Sequence, residues 1–449
     1  MTNEHRRHRA DTEAIGVGHL PDHLSGALSS ARGQYGDNDA QAELQVPQQL
    51  KYVLSGIVAA IAFVAVVAMA LMWPSHEAVQ QTVPTDAYQG VTFHSATVTA
   101  VETKPCSALS EDDPDATGGG DAQANCVTAT VDLKDEAGKP VTINVPTQES
   151  KAGLGVGDSI RLSLYPAADG EPAVYAWTGY DRSRTLLILG LIFVAVVVAV
   201  ARLRGLAVLA GLAITFALLI YFVLPALRLD GNGFVVGLVA GTVMVTALLY
   251  LAHGFSTRTT VAWLGTFSGL VLTAMLAWIV TSWAHMNGLT TEDDYVLGRL
   301  TTGGGLTGII LCGMVVAAVG VLNDVTIAQV AAVWELHAVA PGLSASGLFG
   351  RALRIGRDNM ASTFYTLIFA YLGAALPTLL LIDLYRQPFS EVLANGEVAE
   401  QIARVIVGGI GLVLTIPLTT AIAAVVAATA TPVHAAGVSA ETMLIRRVP

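Results

Sequence analysis

Residues 303–377 read GGGLTGIILCGMVVAAVGVLNDVTIAQVAAVWELHAVAPGLSASGLFGRALRIGRDNMASTFYTLIFAYLGAALP. Two long apolar segments are interrupted by polar residues, Asn323 and Asp324 in the first and Arg357, Asp358, Ser362 and Thr363 at the start of the second. An apolar run of about 18–25 residues is what it takes to cross ~30 Å of hydrocarbon as a helix. A carboxylate facing acyl chains costs ~2.5–3.5 kcal/mol even on the lenient insertion scale, so such groups face protein or water and often mark function. The stretch therefore reads as membrane-spanning and, at its polar interruptions, as a candidate site.

The rest of the chain has the same character. Of its 449 residues, 53% are hydrophobic and 13% charged, with a mean hydropathy of +0.58. Apolar runs at 52–73, 184–201, 205–225, 232–252, 260–283, 306–322, 359–384 and 402–430 predict about eight transmembrane helices, so the fold class is a polytopic α-helical membrane protein. Between the first two runs, residues 75–182 switch to period two. Val127, Ala129, Val131 and Leu133 alternate with polar neighbours, and the alternation resumes at Val141, Ile143 and Val145. Further strands are expected at 91–101, 159–164 and 173–177, which makes this insert a small β-barrel, OB-like domain. The expected organisation is a disordered tail at 1–50, a first transmembrane helix at 51–74, the β domain at 75–182, a seven-helix membrane domain at 183–430, and a tail at 431–449.

Lys and Arg over the short loops set the orientation, eight on one side (Arg202, Arg204, Arg258, Arg351, Arg354, Arg357, Arg446, Arg447) against four on the other (Arg228, Arg299, Arg386, Arg404). The positive-inside rule then places both termini in the cytoplasm and residues 75–182 outside it. The protein is expected in a plasma membrane. A net charge of −11 argues against nucleic acid as a partner. Cys106 and Cys126 flank a polar segment on the outer side and form either a disulfide or two free thiols. The carboxylates of residues 111–121 are hard oxygen donors of the kind calcium takes, but their spacing is not that of an EF-hand, and a solvated acidic loop explains them as well. No P-loop, HExxH or GxSxG is present, so no enzyme activity, cofactor or metal site is expected.

Within the opening stretch, a helix over 306–322 is about 26 Å long, which sets Asn323-Asp324 near the cytoplasmic edge of the hydrocarbon. One straight helix through residue 334 would reach about 43 Å, so a break at Asn323-Asp324 is expected, with residues 323–335 re-entrant or interfacial. Asp324 either caps the new helix or lines a site. On a helix, Asp324, Ala328, Ala331 and Glu335 share one face, with Gln329 and His337 off it, and His337 is expected at the interface. Residues 348–357 read as a short amphipathic helix at the inner leaflet, after which Asp358 either caps the next span or lines the site. Asn323, Asp324, Thr326, Gln329, Glu335, Arg357, Asp358 and Thr363 are the candidate substrate- or ion-binding residues.

Residues 320–329 (GVLNDVTIAQ) with 333–336 (VWEL), then 355–363 (IGRDNMAST) and 366–377 (TLIFAYLGAALP), resemble the YibE/F-like family of bacterial integral membrane proteins. The resemblance extends over residues 184–430. It implies an extracytoplasmic β-rich domain ahead of the membrane block, and recurrence of the acidic position at Asp324, the pair Arg357-Asp358 and the hydroxyl at Thr363. Two functions are compatible with these residues. One is transport of an ion or small solute. The other is a non-transporting cell-envelope scaffold or accessory subunit, alone or as an oligomer, whose residues 75–182 bind an extracytoplasmic protein.

Overall fold

The computed structural model describes residues 44–75, 90–105, 125–134, 140–146, 149, 153–166, 173–229, 231–300 and 305–432. The acidic loop 111–121, Cys106 and residues 1–43 and 433–449 of the two tails lie outside the described residues.

The first apolar run forms α1 (Gln48–Leu71). The insert then folds as five strands, β1 (Thr92–Pro105), β2 (Asn125–Leu133), β3 (Pro140–Val145), β4 (Ser159–Tyr165) and β5 (Val174–Tyr180). All pair antiparallel in the order β3-β2-β1-β4-β5. The alternation read from the sequence becomes the core: Val127, Ala129, Val131 and Leu133 meet Ile143, Val145, Ile160 and Leu162 inside. Register shifts between Val98 and Ala100, and between Arg161 and Leu162, bend the sheet. Edge strands β3 and β5 approach one another, so the sheet curls around that single core.

Asp181 joins sheet to helix. Its carboxylate accepts hydrogen bonds from Ser95 of β1 at 3.0 Å and from the Ser183 amide at 3.2 Å, where α2 (Ser183–Leu218) begins. Helical structure continues through a π turn at Leu219–Val223 to Leu224–Arg228, 46 residues in all. The backbone leaves the helical region at Arg202 (φ 51, ψ −130). Gly205 then lies so near Val197 that a Cβ there would come within 2.7 Å of the Val197 carbonyl oxygen. Eight residues of straight helix would separate the two by about 12 Å, so the chain folds back at this point.

The remaining helices are α3 (Gly233–His253), α4 (Thr257–Trp283), α5 (Glu292–Leu300), α6 (Gly305–Val339), α7 (Ala345–Leu384), α8 (Phe389–Ala394) and α9 (Gly396–Ala428). Among the described residues, seven helices are long and apolar enough to cross a membrane, with the 46 residues of α2 and its extension taken as one. The chain is a multi-pass membrane protein. At its centre α6 packs against α3, α4 and α9; α7 lies on α9 and α6, α1 on α3 and α4, and α2 on α3. Separately, Leu44–Gln45 pairs antiparallel with Thr431–Pro432.

Two expected boundaries differ. No break occurs at Asn323-Asp324, because α6 is one helix of 35 residues. The carboxylate escapes burial by rotation alone: Asp324, Ala328 and Glu335 all face outward, so nothing requires the backbone ladder to open. Nor does a helix begin at 357–358. The amphipathic segment and the span that follows are a single 40-residue helix, α7, capped by Ser344, whose hydroxyl accepts from the Gly347 amide. Asp358 is therefore mid-helix and caps nothing.

Candidate functional site

Close helix contacts here come from small residues. Across the antiparallel pair α4–α9, Gly265 faces Thr419, Gly269 faces Thr415 and Gly411 faces Thr273, each so tightly that a Cβ on the glycine would collide with the threonine side chain. These positions recur every four residues on both helices, the spacing that keeps one stripe facing one neighbour. Gly233 and Gly237 of α3 likewise seat against Gly308 and Cys312 of the parallel helix α6. Carried on along both helices, that register sets His253, the C-terminal end of α3, level with roughly residue 328 of α6.

The close approach surrounds the middle of the bundle with hydroxyls. Thr266, Thr273, Thr326, Thr415, Thr419 and Thr420 are all fully buried. Thr266 of α4 and Thr326 of α6 join their side-chain oxygens at 2.6 Å. Thr266 also reaches the Ala262 carbonyl at 2.9 Å, and Thr326 the Asn323 carbonyl at 3.1 Å. One turn further along α6, Gln329 donates through Nε2 to the Ala352 carbonyl of α7 at 2.8 Å. The Gln329 side-chain oxygen Oε1 lies where a Cβ on Gly356 would be 2.5 Å away. Among the described residues, two buried side-chain oxygens have no hydrogen-bond partner, Asn323 Oδ1 and Thr419 Oγ1. A buried acceptor without a partner costs about 1–3 kcal/mol, so such atoms call for an occupant or a role.

Of the residues singled out in the sequence, Thr326 and Gln329 are buried at this crossing and Asn323 is half-buried beside it. Asp324, Glu335, Arg357 and Asp358 are exposed. Thr363 is half-buried and donates to the Asn359 carbonyl of its own helix at 3.3 Å. His337, expected at the interface, is buried with 2% of its surface exposed. The interior thus presents neutral oxygens and amides, and the formal charges stand outside it. Sequence reasoning missed the contributions of α4 and α9. Their signal was present in the four-residue spacing of Gly265 and Gly269, and of Gly411, Thr415 and Thr419, inside apolar runs.

At the other end of the bundle an open cleft of about 670 Å³ lies between the start of α3, the end of α4 and the start of α6, lined by Asn232, Phe234, Trp278, Thr281 and Thr307 among others. A second polar seam runs between α7 and α9 on that side. Thr378 donates to Glu397 at 2.9 Å, Arg404 donates to Gln401 at 3.0 Å, and the Arg404 guanidinium stands 6.0 Å from the Tyr371 ring centre. In the turn leading to α5, Asp294 accepts from the amides and hydroxyls of Thr290 and Thr291 at 2.8–3.2 Å. Partial burial pushes that carboxyl up, but the four hydrogen bonds outweigh it and hold it below the usual carboxylate range.

Long apolar helices joined by glycine–threonine seams around a buried polar layer define an integral membrane protein with a hydrogen-bonding interior. Residues 189–429 match the family described as YibE/F-like protein, and the chain belongs to that family. No curated protein and no solved structure matches it.

Proposed function

We propose that this chain is a permease-like transporter for an ion or small solute, which passes the layer where α4, α6, α9 and α7 meet. The observation that carries the reading is the pair of partnerless buried oxygens, Asn323 Oδ1 and Thr419 Oγ1, in a layer that also holds Thr266, Thr326 and Gln329. Hydroxyl and amide oxygens can replace part of the hydration shell of a solute that sheds water only in part. The cleft at the opposite ends of α3, α4 and α6 supports an entry on that side. The helices need not break for this; a shift of α7 along its contact with Gln329 would open the layer.

In this reading both termini are cytoplasmic in a bacterial plasma membrane, and the β domain is an extracytoplasmic OB-like module. The pairing of residues 44–45 with 431–432 supports termini on one side, which requires an even number of crossings. The reversal at Arg202 supplies it by dividing α2 into two, eight spans in all. A Cys106–Cys126 disulfide closes the segment between β1 and β2; thiol labelling with and without reductant tests it. The chain performs no enzymatic step, and residues 75–182 are the surface for a cell-envelope protein partner.

The test is flux into proteoliposomes, with radiolabelled sodium and rubidium and with swelling in neutral solutes as probes. Uptake above empty vesicles that falls to background in Asn323→Leu and Thr419→Val supports transport. Background flux of every probe in a folded wild-type protein removes it and leaves the envelope scaffold.

A further inference from the structure

The N-terminal third of α7 has two unlike faces. Leu348, Ala352 and Gly356 are buried, held against α6 by the Gln329–Ala352 hydrogen bond and the close Gln329–Gly356 contact. That contact fixes the rotation of the helix and turns Arg351, Arg354 and Arg357 outward, all three exposed. It also fixes their height. Gln329 is level with the C-terminal end of α3, so the arginines straddle the edge of the hydrocarbon on the side of the α6–α7 connection. No hydrogen bond or ion pair among the described residues engages the side chain of any of the three.

The same outward face continues toward the middle of the membrane as Ile355, Ser362, Tyr365, Phe369 and Leu372, all exposed. From Arg354 to Phe369 is about 22 Å of helix. The surface therefore has a basic end at the bilayer boundary and an aromatic and aliphatic track below it, the outline of an amphiphile with an anionic head. Asp358 is the one carboxylate on this face, set against three guanidinium groups.

We propose that this face of α7 binds an anionic phospholipid of the adjoining leaflet. Arg351, Arg354 and Arg357 hold its phosphate, and its acyl chains lie along Tyr365, Phe369 and Leu372. Guanidinium forks match phosphate oxygens two at a time, and an anionic headgroup brings no ammonium of its own to oppose them. Basic clusters at the end of a span are drawn to anionic lipid by the surface potential as well. The proposal does not rest on transport.

The full-length protein in neutral detergent is titrated with phosphatidylglycerol, phosphatidylcholine or inorganic phosphate, reading the melting temperature and the lipid retained in native mass spectrometry. Phosphatidylglycerol is expected to raise the wild-type melting temperature by about 2–4 °C and to stay bound, with the shift shrinking in salt. The other two are expected to do neither, and R351Q/R354Q/R357Q to lose both effects. An equal shift with phosphatidylcholine, the same shift with phosphate alone, or an unchanged response in the variant would overturn it. Should the triple variant not fold, R354Q alone is expected to lose part of the shift and of the retained lipid; no loss of either overturns the proposal.

Discussion

A threonine inside a bundle is inexpensive when its hydroxyl has an acceptor, and Thr326 has two, the Thr266 hydroxyl and the Asn323 carbonyl. Its replacement should therefore be mild. Thr326→Val keeps the shape, and a double-mutant cycle with Thr266→Val is expected to give a coupling of about 0.6 kcal/mol in reversible unfolding, the size usual for hydrogen bonds between membrane helices. A coupling indistinguishable from zero would mean that the 2.6 Å contact is not a hydrogen bond in the working protein. At Asp294 the effect depends on pH. Its folded carboxyl is held low by Thr290 and Thr291, so it adds stability above the pKa of free aspartate, about 3.9, and that stability is lost as pH falls through the lower folded value. Asp294→Asn is expected to melt below wild type at neutral pH, with the gap closing below about pH 4. A gap that persists in acid would assign the loss to geometry instead. Neither feature was legible beforehand: Thr326 stood out in the sequence, but its partner lies 60 positions away on another helix.

Helices meet through surfaces, and the α4–α9 surface is a row of glycines facing threonines. Gly269→Thr should destabilise by about 1–3 kcal/mol by overpacking against Thr415. The reciprocal change Gly269→Thr with Thr415→Gly should recover most of that loss, because the volume is exchanged across one contact. Failure of the double variant to recover in thermal unfolding would show that the two positions are not facing. The same scale explains why the expected break in α6 is missing. Length and polarity near residues 323–324 argued for interruption, yet the apolar positions Val321 and Val325 keep one face packed on Leu412, Ile416, Leu353 and Met360. With that face satisfied and Asp324 turned outward, an intact ladder is the lower-energy choice.

For the whole molecule, the orientation can be tested with single cysteines in a background lacking Cys106, Cys126 and Cys312. Asn287→Cys, in the connection after α4, should react with an impermeant thiol reagent added to intact cells. Ser256→Cys, in the connection before α4, should react only after the membrane is opened. The opposite pattern would invert the topology. The apolar runs and the period-two alternation by themselves determined a polytopic helical protein with a β domain after its first span, because run length is tied to bilayer thickness and alternation to the pleat of a sheet. They also named Asn323, Thr326 and Gln329, since polar residues inside apolar runs are rare enough to be noticed. Only the tertiary structure decided which of the marked residues go inside and what meets them there. Whether Asp324 faces a core or open surroundings depends on which side of α6 the other helices occupy, and that is set by contacts between segments far apart in the chain, such as Gly233 with Gly308 and Thr266 with Thr326.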